Sequence, residues 1–243
     1  MKKIALWLGL VGLLGAASLA LVPIERLVPG PQPMPLPLPV LRLLTTLQPA
    51  LLVLAATALG AWAAPKVRLD APLIRAAVER RPMLPVLRGQ LPPAVVAGVA
   101  TAVVLVAYSL LTRSLDAAPL PFEVPLVTRL LYGGIAEELL MRWGLMSLLV
   151  WGTWRLASSR EPVPAWCFWA GAAGAALLFA LGHLPVLLIA YPDPSSALLA
   201  AVLAGNAAPG LVFGWLFWRR GIEAAMIAHA LAHLFAVGAA LLV

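Results

Sequence analysis

Charged side chains are scarce in this chain. Only 11% of its 243 residues are Asp, Glu, Lys or Arg, whereas 63% are hydrophobic. A water-soluble domain of this size needs more polar surface, so the composition excludes that class and indicates a protein that crosses a membrane several times. The net charge of +7 does not indicate nucleic-acid binding, because the basic residues collect in short segments between apolar runs. We therefore expect a lipid bilayer around the protein and no nucleic-acid partner.

Cysteine is nearly absent, and two common catalytic motifs are missing. Cys167 is the one cysteine, so it cannot form an intrachain disulfide, and we interpret it as a small buried hydrophobic residue. Neither a Gly-x-Ser-x-Gly nor a Gly-x-Gly-Asp sequence occurs. The sequence therefore lacks the motifs that would indicate a catalytic serine or a catalytic aspartate. No feature of the sequence indicates a particular oligomeric state.

Seven apolar segments are each long enough to form a helix across a membrane. They are residues 4–23, 43–64, 93–112, 126–150, 165–190, 196–217 and 221–242. We therefore predict an all-α, polytopic integral membrane protein with about seven transmembrane helices around an intramembrane cavity. Residues 1–92 would form an N-terminal hairpin with a proline-rich linker (29–39) and a basic cytoplasmic loop (65–92), and residues 93–243 a membrane core.

Basic residues are distributed unevenly between these spans. With the N-terminus in the cytoplasm, the inner segments hold twelve Lys and Arg residues and the outer segments hold four. This bias predicts a cytoplasmic N-terminus. The high content of alanine, leucine, proline and arginine suggests a bacterial GC-rich genome, so we expect the protein in the inner (cell) membrane of a bacterium. The first span, which follows Lys2 and Lys3, also resembles a secretory signal peptide. Its removal would leave the orientation of the other spans unchanged.

Tryptophans and small residues have simple structural interpretations. Several of the nine tryptophans lie near predicted span ends, namely Trp143, Trp151, Trp154, Trp215 and Trp218. Tryptophan favours the membrane interface, so we predict an aromatic belt without a role in substrate binding. The alanine and glycine run at residues 170–176 predicts a face for close helix packing.

Three charges lie within the fourth span, in Glu137-Glu138-Leu139-Leu140-Met141-Arg142. Each costs about 2.5–3.5 kcal/mol on insertion scales, so such residues normally face a protein interior or cavity and have partners. Arg142 follows Glu138 by four residues, the spacing of an ion pair on one helix face. Neighbouring helical residues point about 100° apart, so Glu137 is predicted to face a cavity as a candidate general base. The alternative is a buried ion pair that only locks helices together.

Histidines occur on two later spans. His183 lies in the fifth span, and His229 and His233 share one face of the seventh. The latter spacing can bind a metal, as in the His-Glu-x-x-His motif, but Ala230 occupies the glutamate position and that motif fails. A metal site would have to include Glu137 from another span. A histidine in an apolar helix is also commonly a hydrogen-bonding residue between helices.

The order of these elements resembles the CPBP family, which contains the CAAX prenyl endopeptidases of the Rce1 type and the bacterial Abi proteins. The shared pattern is Glu-Glu-x-x-x-Arg, then Phe-x-x-x-His, then a His-x-x-x-Asn-type element on successive membrane helices, over roughly residues 125–242. The residues that correspond to its catalytic positions are Glu137, Glu138, Arg142, His183, His229 and His233. His233 stands where the family usually has asparagine, although either side chain can donate a hydrogen bond to an oxyanion.

The resemblance implies an intramembrane endopeptidase that cuts near the membrane in a lipid-anchored or membrane-spanning protein or peptide. Glu137, assisted by His183, would activate water, and His229 and His233 would stabilise the oxyanion. We favour this metal-free reaction. In the alternative, zinc or another divalent metal is held by Glu137, His183, His229 and His233. A non-catalytic immunity or scaffold protein and a proton-relay transporter are further alternatives, although no internal repeat typical of transporters is visible.

Overall fold

The computed structural model describes residues 1–27, 36–115, 123–157 and 161–241, which fold as helices without a strand. The helices are α1 (Lys2–Ala17), α2 (Leu38–Ala63), α3 (Pro72–Val78), α4 (Leu84–Ser114), α5 (126–157), α6 (Ala165–Leu181), α7 (Leu184–Ala190), α8 (Ser196–Arg220) and α9 (Ile222–Ala240). Helix α5 joins four consecutive pieces, Leu126–Thr128, Arg129–Glu137, Leu139–Met146 and Ser147–Ala157. The prediction of an all-α polytopic membrane protein is confirmed.

Six helical segments of the described residues are long and apolar enough to cross a membrane. They are Lys2–Leu21, Leu38–Val67, Leu84–Ser114, Ala165–Ala190, Ser196–Arg220 and Ile222–Ala240. The seventh predicted span is α5, which carries the three charges of the motif, and its crossing of the bilayer stays a prediction. Helix α5 packs against α1, α2, α6 and α9, so its charges lie among other helices.

Helix α4 begins nine residues earlier than the third predicted span. Although a proline removes a helical hydrogen bond, Pro92 and Pro93 both lie inside the helix. It begins at Leu84, with Pro85 in the first turn, where an N–H has no helical partner to lose. Packing against neighbouring helices makes interior prolines tolerable in membrane helices. The basic loop predicted at 65–92 is therefore shorter, and most of the linker predicted at 29–39 lies outside the described residues.

The fifth predicted span, 165–190, is interrupted at Gly182 and His183. Helix α6 ends at Leu181, and α7 begins at Leu184 with Pro185 in its first turn. Because Pro185 has no N–H, it cannot extend the hydrogen-bond ladder of α6. His183 therefore lies at a break between two helices. Helix α8, in contrast, continues through Pro209.

Contacts between the helix ends gather the basic segments at one end of the bundle, here called the basic end. At this end α1, α4 and α9 begin, and α2 and α8 end. Arg68, just after α2, pairs with Glu161 at 3.2 Å. The side chain of Gln90 in α4 donates to the carbonyl oxygen of Arg220 in α8 at 2.8 Å. Segments that were predicted to face the cytoplasm thus meet on one side.

Small residues bring α5 and its neighbours into close contact. A Cβ added to Gly15 of α1 would lie 2.9 Å from the Cβ of Ala136 in α5. On the other side of the bundle, α6 packs on α8, where a Cβ added to Gly214 would lie 2.9 Å from the Cβ of Ala172. These distances leave no room for larger side chains, and the small-residue face predicted at 170–176 packs closely.

The prediction of an aromatic belt is wrong for Trp143. This side chain is fully buried, and its indole N–H donates to the carbonyl oxygen of Thr57 in α2 at 3.1 Å. Trp151 lies nearer the basic end, where it meets Trp62 edge to face at 4.6 Å. The ammonium group of Lys66 lies 3.4 Å from the centre of the Trp62 ring. Trp143 therefore anchors α5 to α2, while Trp151 occupies the kind of position that the belt requires.

Candidate active site

Helix α5 winds more widely than an α-helix where it carries the charged motif. Its backbone is π-helical over Arg129–Glu137 and Leu139–Met146, a rare winding that is frequent at functional sites. The N–H of Ser147, for example, bonds to the carbonyl oxygen of Arg142, five residues earlier. Since a wider turn holds more residues, the angle between neighbouring side chains is smaller than in an α-helix.

Glu138 is completely buried between an arginine and a histidine. Its Oε1 atom lies 3.0 Å from Nη1 of Arg142, which is the same-face ion pair predicted from the sequence. The same oxygen lies 2.8 Å from Nδ1 of His229 in α9, a contact that was not predicted. When the Nδ1–H donates to this carboxylate, the neutral imidazole presents Nε2 as an acceptor. Glu138 therefore sets both the position and the tautomer of His229.

Arg142 is as deeply buried as Glu138, with 1% of its side chain exposed. Its Nη2 donates to the carbonyl oxygen of Gly210 in α8 at 3.2 Å. Its Cζ atom lies 5.4 Å from the ring centres of both Phe179 and Phe213, where the ring faces attract a cation. The guanidinium thus joins α5 to α6 and α8 and compensates a buried negative charge.

Glu137 is the accessible acid of the motif, with 19% of its side chain exposed. Its Oε2 atom lies 3.9 Å from Nε2 of His229. This separation exceeds that of a direct hydrogen bond and is suited to a bridging water. Within the described residues Glu137 has no side-chain hydrogen bond. Its carboxylate is therefore free to act on a bound molecule.

The two glutamates approach opposite nitrogen atoms of one imidazole, Glu138 at Nδ1 and Glu137 at Nε2 of His229. The prediction that helical phase turns them to different surroundings is therefore only half right. They do differ in burial and in partners, but both reach α9. The wide winding of α5 is the physical reason, because it brings neighbouring side chains closer to one face.

The two histidines of α9 stack beside a glycine of α5. The ring centres of His229 and His233 lie 5.0 Å apart with 27° between the ring planes. A Cβ added to Gly133 would lie 3.0 Å from Nε2 of His233 and 3.6 Å from Nε2 of His229. Both ε-nitrogen atoms therefore border one small space, which exists because residue 133 has no side chain.

His183 lies apart from this group. Its Nδ1 is 2.8 Å from the carbonyl oxygen of Phe179, and its ring meets the Phe179 ring edge to face at 4.6 Å. In the described part of the chain, no hydrogen bond or ion pair joins it to Glu137. Its connection to the site runs through Phe179, which borders Arg142. The imidazole that approaches Glu137 is that of His229 and not, as predicted, that of His183.

Three site residues escaped the sequence reasoning. Phe213 stacks on His229 with 4.7 Å between ring centres, and its ring centre lies 5.4 Å from Cζ of Arg142. Gly133 borders both ε-nitrogen atoms, and Gly210 supplies the carbonyl oxygen that holds Arg142. The position of Gly133, one turn before the glutamates, was a signal that we did not use. Nothing in the sequence distinguishes Phe213 from other buried aromatic residues.

The predicted metal ligands do not gather in this arrangement. Among the described residues, no three His, Cys, Asp or Glu side chains come together in a way that could hold a metal ion. His183 and His229 each use Nδ1 in a hydrogen bond, and Glu137 and His233 complete the predicted set without joining them in a cluster. A metal bound by these four residues would require His183 to move.

Acids, an arginine and histidines enclosed by apolar helices define an integral membrane protein with a polar site inside its bundle. The sequence model of a family described as type II CAAX prenyl endopeptidase Rce1-like matches residues 119–235, which include all six candidate residues. Over this segment the chain is similar to the Rce1-like family, and the resemblance noted in the sequence is confirmed. At the level of the family, this match supports a CAAX-type intramembrane protease. No curated protein and no solved structure matches the chain.

Proposed function

We propose that the protein is an intramembrane endopeptidase in which Glu137 activates water for hydrolysis of a peptide bond. The observation that carries this proposal is the 3.9 Å gap between Oε2 of Glu137 and Nε2 of His229. A water molecule can bridge two acceptors at this separation. A general base within hydrogen-bond reach of such a water is what hydrolysis requires.

In the proposed reaction the water gives one proton to Glu137 while its oxygen bonds to the scissile carbonyl carbon. The carbonyl oxygen becomes an oxyanion in the space beside Gly133, where the Nε2–H group of His233 donates to it. His229 remains neutral, with its Nδ1–H held by Glu138, and its Nε2 accepts the second hydrogen of the water and so orients the attacking oxygen. The proton on Glu137 then passes to the amide nitrogen as the carbon–nitrogen bond breaks, which yields a carboxyl group and an amine.

His183 has no step in this scheme as the residues stand. Its predicted assistance to Glu137 stays a prediction, and it requires movement of the break between α6 and α7. The proposed reaction uses no metal. In support of this, Glu138 already pairs with Arg142 and already binds Nδ1 of His229.

The proposed substrate is the membrane-proximal segment of a lipid-anchored or membrane-spanning protein or peptide. A site enclosed by membrane helices is reached most directly by a chain that already lies in or at the bilayer. We further propose the inner membrane of a bacterium, with the basic end in the cytoplasm, because positively charged segments remain on the cytoplasmic side.

The test is cleavage of a synthetic membrane-tethered peptide by the full-length protein in detergent and in vesicles, with the reaction run in heavy-oxygen water. We expect one heavy oxygen atom in each new carboxyl group, detected by mass spectrometry of the products. Activity that persists in a strong chelator supports the glutamate mechanism. Loss of activity in the chelator and recovery with zinc would establish the metal-dependent alternative. Absence of cleavage across a panel of tethered peptides would instead favour the immunity or scaffold function.

Replacement of Gly133 by alanine should slow cleavage with little loss of stability. The new Cβ would lie 3.0 Å from Nε2 of His233 and 3.6 Å from that of His229, in the space proposed for the oxyanion. Loss of one oxyanion donor costs about 10²–10³-fold in rate, so we expect a loss of that order in kcat. The matched control is Gly152→Ala, because a Cβ at Gly152 in the same helix meets no other atom within 4 Å. An unaltered rate in Gly133→Ala would remove Gly133 from the site.

A further inference from the structure

A cavity of about 350 Å³ opens at the basic end, away from the glutamates and histidines. It lies between the first turns of α4 and the end of α8, and the segment between α2 and α3 closes one side. Its volume falls within the range of small-ligand pockets, roughly 300–1,000 Å³. Neither the proposed reaction nor the family match involves the residues that border it, except at the end of α8.

Three arginines border the cavity, Arg68, Arg219 and Arg220, and all three are exposed. Arg68 has one ion pair, with Glu161, and both side chains of that pair are largely in solvent. Such a solvent-exposed pair contributes little to stability, so Arg68 can exchange this partner for a ligand at small cost. Arg219 lies 5.3 Å from the ring centre of Trp218.

Among the described residues one acid, Asp70, also borders the cavity, but its charge is already compensated. Its carboxylate accepts three hydrogen bonds from Arg75, of 2.7 to 3.0 Å, and one from the N–H of Ala71. Hydrogen bonding to Asp70 raises the pKa of Arg75, so this partner stays charged. The cavity therefore presents the positive charges of the three arginines, together with the N-terminal end of α4, where the helix dipole also favours an anion.

The surroundings of the cavity are those of the membrane interface. Its walls include the apolar side chains of Pro85, Val86 and Phe217, and Trp218 lies at its side. A Cβ added to Gly89, on the wall formed by α4, would meet no atom within 4 Å, so the space above this residue is open. Tryptophan and arginine together at a helix end mark the level of lipid headgroups.

An apolar strip runs from this opening along the exposed surface of α4, away from the basic end. Val96 and Val103 follow Gly89 at intervals of seven residues, which is two helical turns, so the three share one face. Val96 is 70% exposed and Val103 is 64% exposed. An acyl chain can lie along this strip while its headgroup occupies the cavity. A free phosphate ion has no acyl chain and would not contact this apolar strip.

We propose that this cavity binds the phosphate headgroup of an anionic phospholipid, with an acyl chain along the Gly89–Val96–Val103 face of α4. Arg68, Arg219 and Arg220 bind the phosphate, and the apolar walls hold the glycerol backbone. Basic pockets between helices at one membrane surface are suited to this chemistry. The inference is independent of the proposed proteolysis and can be tested without a peptide substrate.

The experiment measures lipid retention by native mass spectrometry of the full-length protein in neutral detergent, titrated with dioctanoyl phosphatidylglycerol or dioctanoyl phosphatidylcholine. We expect preferential binding of phosphatidylglycerol. In Arg219→Gln/Arg220→Gln its affinity should fall by roughly 30-fold, because each arginine near a lipid surface contributes about 1 kcal/mol. Gly89→Phe keeps every charge but fills the opening, and it should lose the same lipid. Thermal unfolding of both variants checks that they remain folded.

The matched control is Arg80→Gln/Arg81→Gln, which removes a second exposed arginine pair from the segment between α3 and α4, outside the cavity. We expect it to retain phosphatidylglycerol as the wild type does. Equal loss in this control would assign the effect to the general charge of the basic end and overturn the proposal. Equal binding of the two lipids, or retention by both cavity variants, would overturn it as well. Competition by glycerol 3-phosphate or inorganic phosphate as strong as that by the lipid would assign the site to a soluble phosphate instead.

Discussion

Glu137→Gln is expected to abolish measurable cleavage while leaving the thermal stability of the protein nearly unchanged. Glutamine has the same shape as glutamate but cannot accept the proton of the attacking water, and loss of a general base costs about 10²–10⁴-fold in rate. Glu137 is partly exposed, and its nearest charged contact is the 3.9 Å approach to His229, so few stabilising interactions are lost. The measurement is the initial rate of peptide cleavage beside a thermal unfolding curve.

Two further variants make this result specific. Glu123→Gln removes an exposed acid just before α5 and should cleave at the wild-type rate. His229→Gln should lose activity as Glu137→Gln does, because the imidazole faces the same gap. More than a tenth of the wild-type rate in Glu137→Gln would show that another group takes the proton, and the proposed mechanism would have to be abandoned.

Glu138→Gln, unlike Glu137→Gln, should cause a large loss of stability as well as of activity. The substitution leaves the guanidinium of Arg142 buried at 1% exposure without a negative partner. Breaking a buried ion pair by removing one member costs about 3–5 kcal/mol. The same change removes the carboxylate that holds Nδ1 of His229 at 2.8 Å. We expect a marked fall in the unfolding temperature, whereas Glu79→Gln, which affects exposed ion pairs, should change it little.

The double variant Glu138→Gln/Arg142→Met separates the charge from the rest of the contact. Methionine fills much of the arginine volume and leaves no uncompensated charge, so the double variant should be more stable than Glu138→Gln alone. It should still lack activity, because His229 has lost its charged partner. If the loss of unfolding free energy in the double variant equals the sum of the losses in the two single variants, Glu138 and Arg142 do not stabilise each other.

Local spacing predicted the contacts that lie within one helix, and it failed for those that join helices. The four-residue spacing of Glu138 and Arg142 was sufficient for their ion pair, because both side chains project from one turn. The contact of Glu138 with His229 spans 91 residues and depends on how α5 and α9 pack. The π-helical winding of α5, which brings Glu137 to the same imidazole, has no signature in the charged hexapeptide.

Prolines and tryptophans were misjudged for a related reason. The third span was predicted to begin at Pro93, with Pro92 in the preceding loop, although a membrane helix can accommodate both prolines through its neighbours. Trp143 was predicted to lie at the membrane interface because it is near the end of a predicted span, yet it is buried against α2. The break before Pro185, which holds His183 away from Glu137, was present in the sequence as a glycine–histidine pair before a proline. In a chain this apolar, the hydropathy of the sequence identifies the membrane spans but does not show where a helix within a span is interrupted.

The distance in sequence between Glu138 and His229 also sets an order of events during synthesis. At about 5–20 residues per second, the 91 residues that separate them take the ribosome roughly 5–20 s to add. Until the last of them is added, Glu138 has Arg142 as its ion-pair partner but lacks His229. A nascent chain that has inserted α5 without α9 therefore lacks the imidazole that faces Glu137. Under the proposed mechanism it cannot cut other proteins still passing through the insertion machinery, and hydrolytic competence arrives with α9.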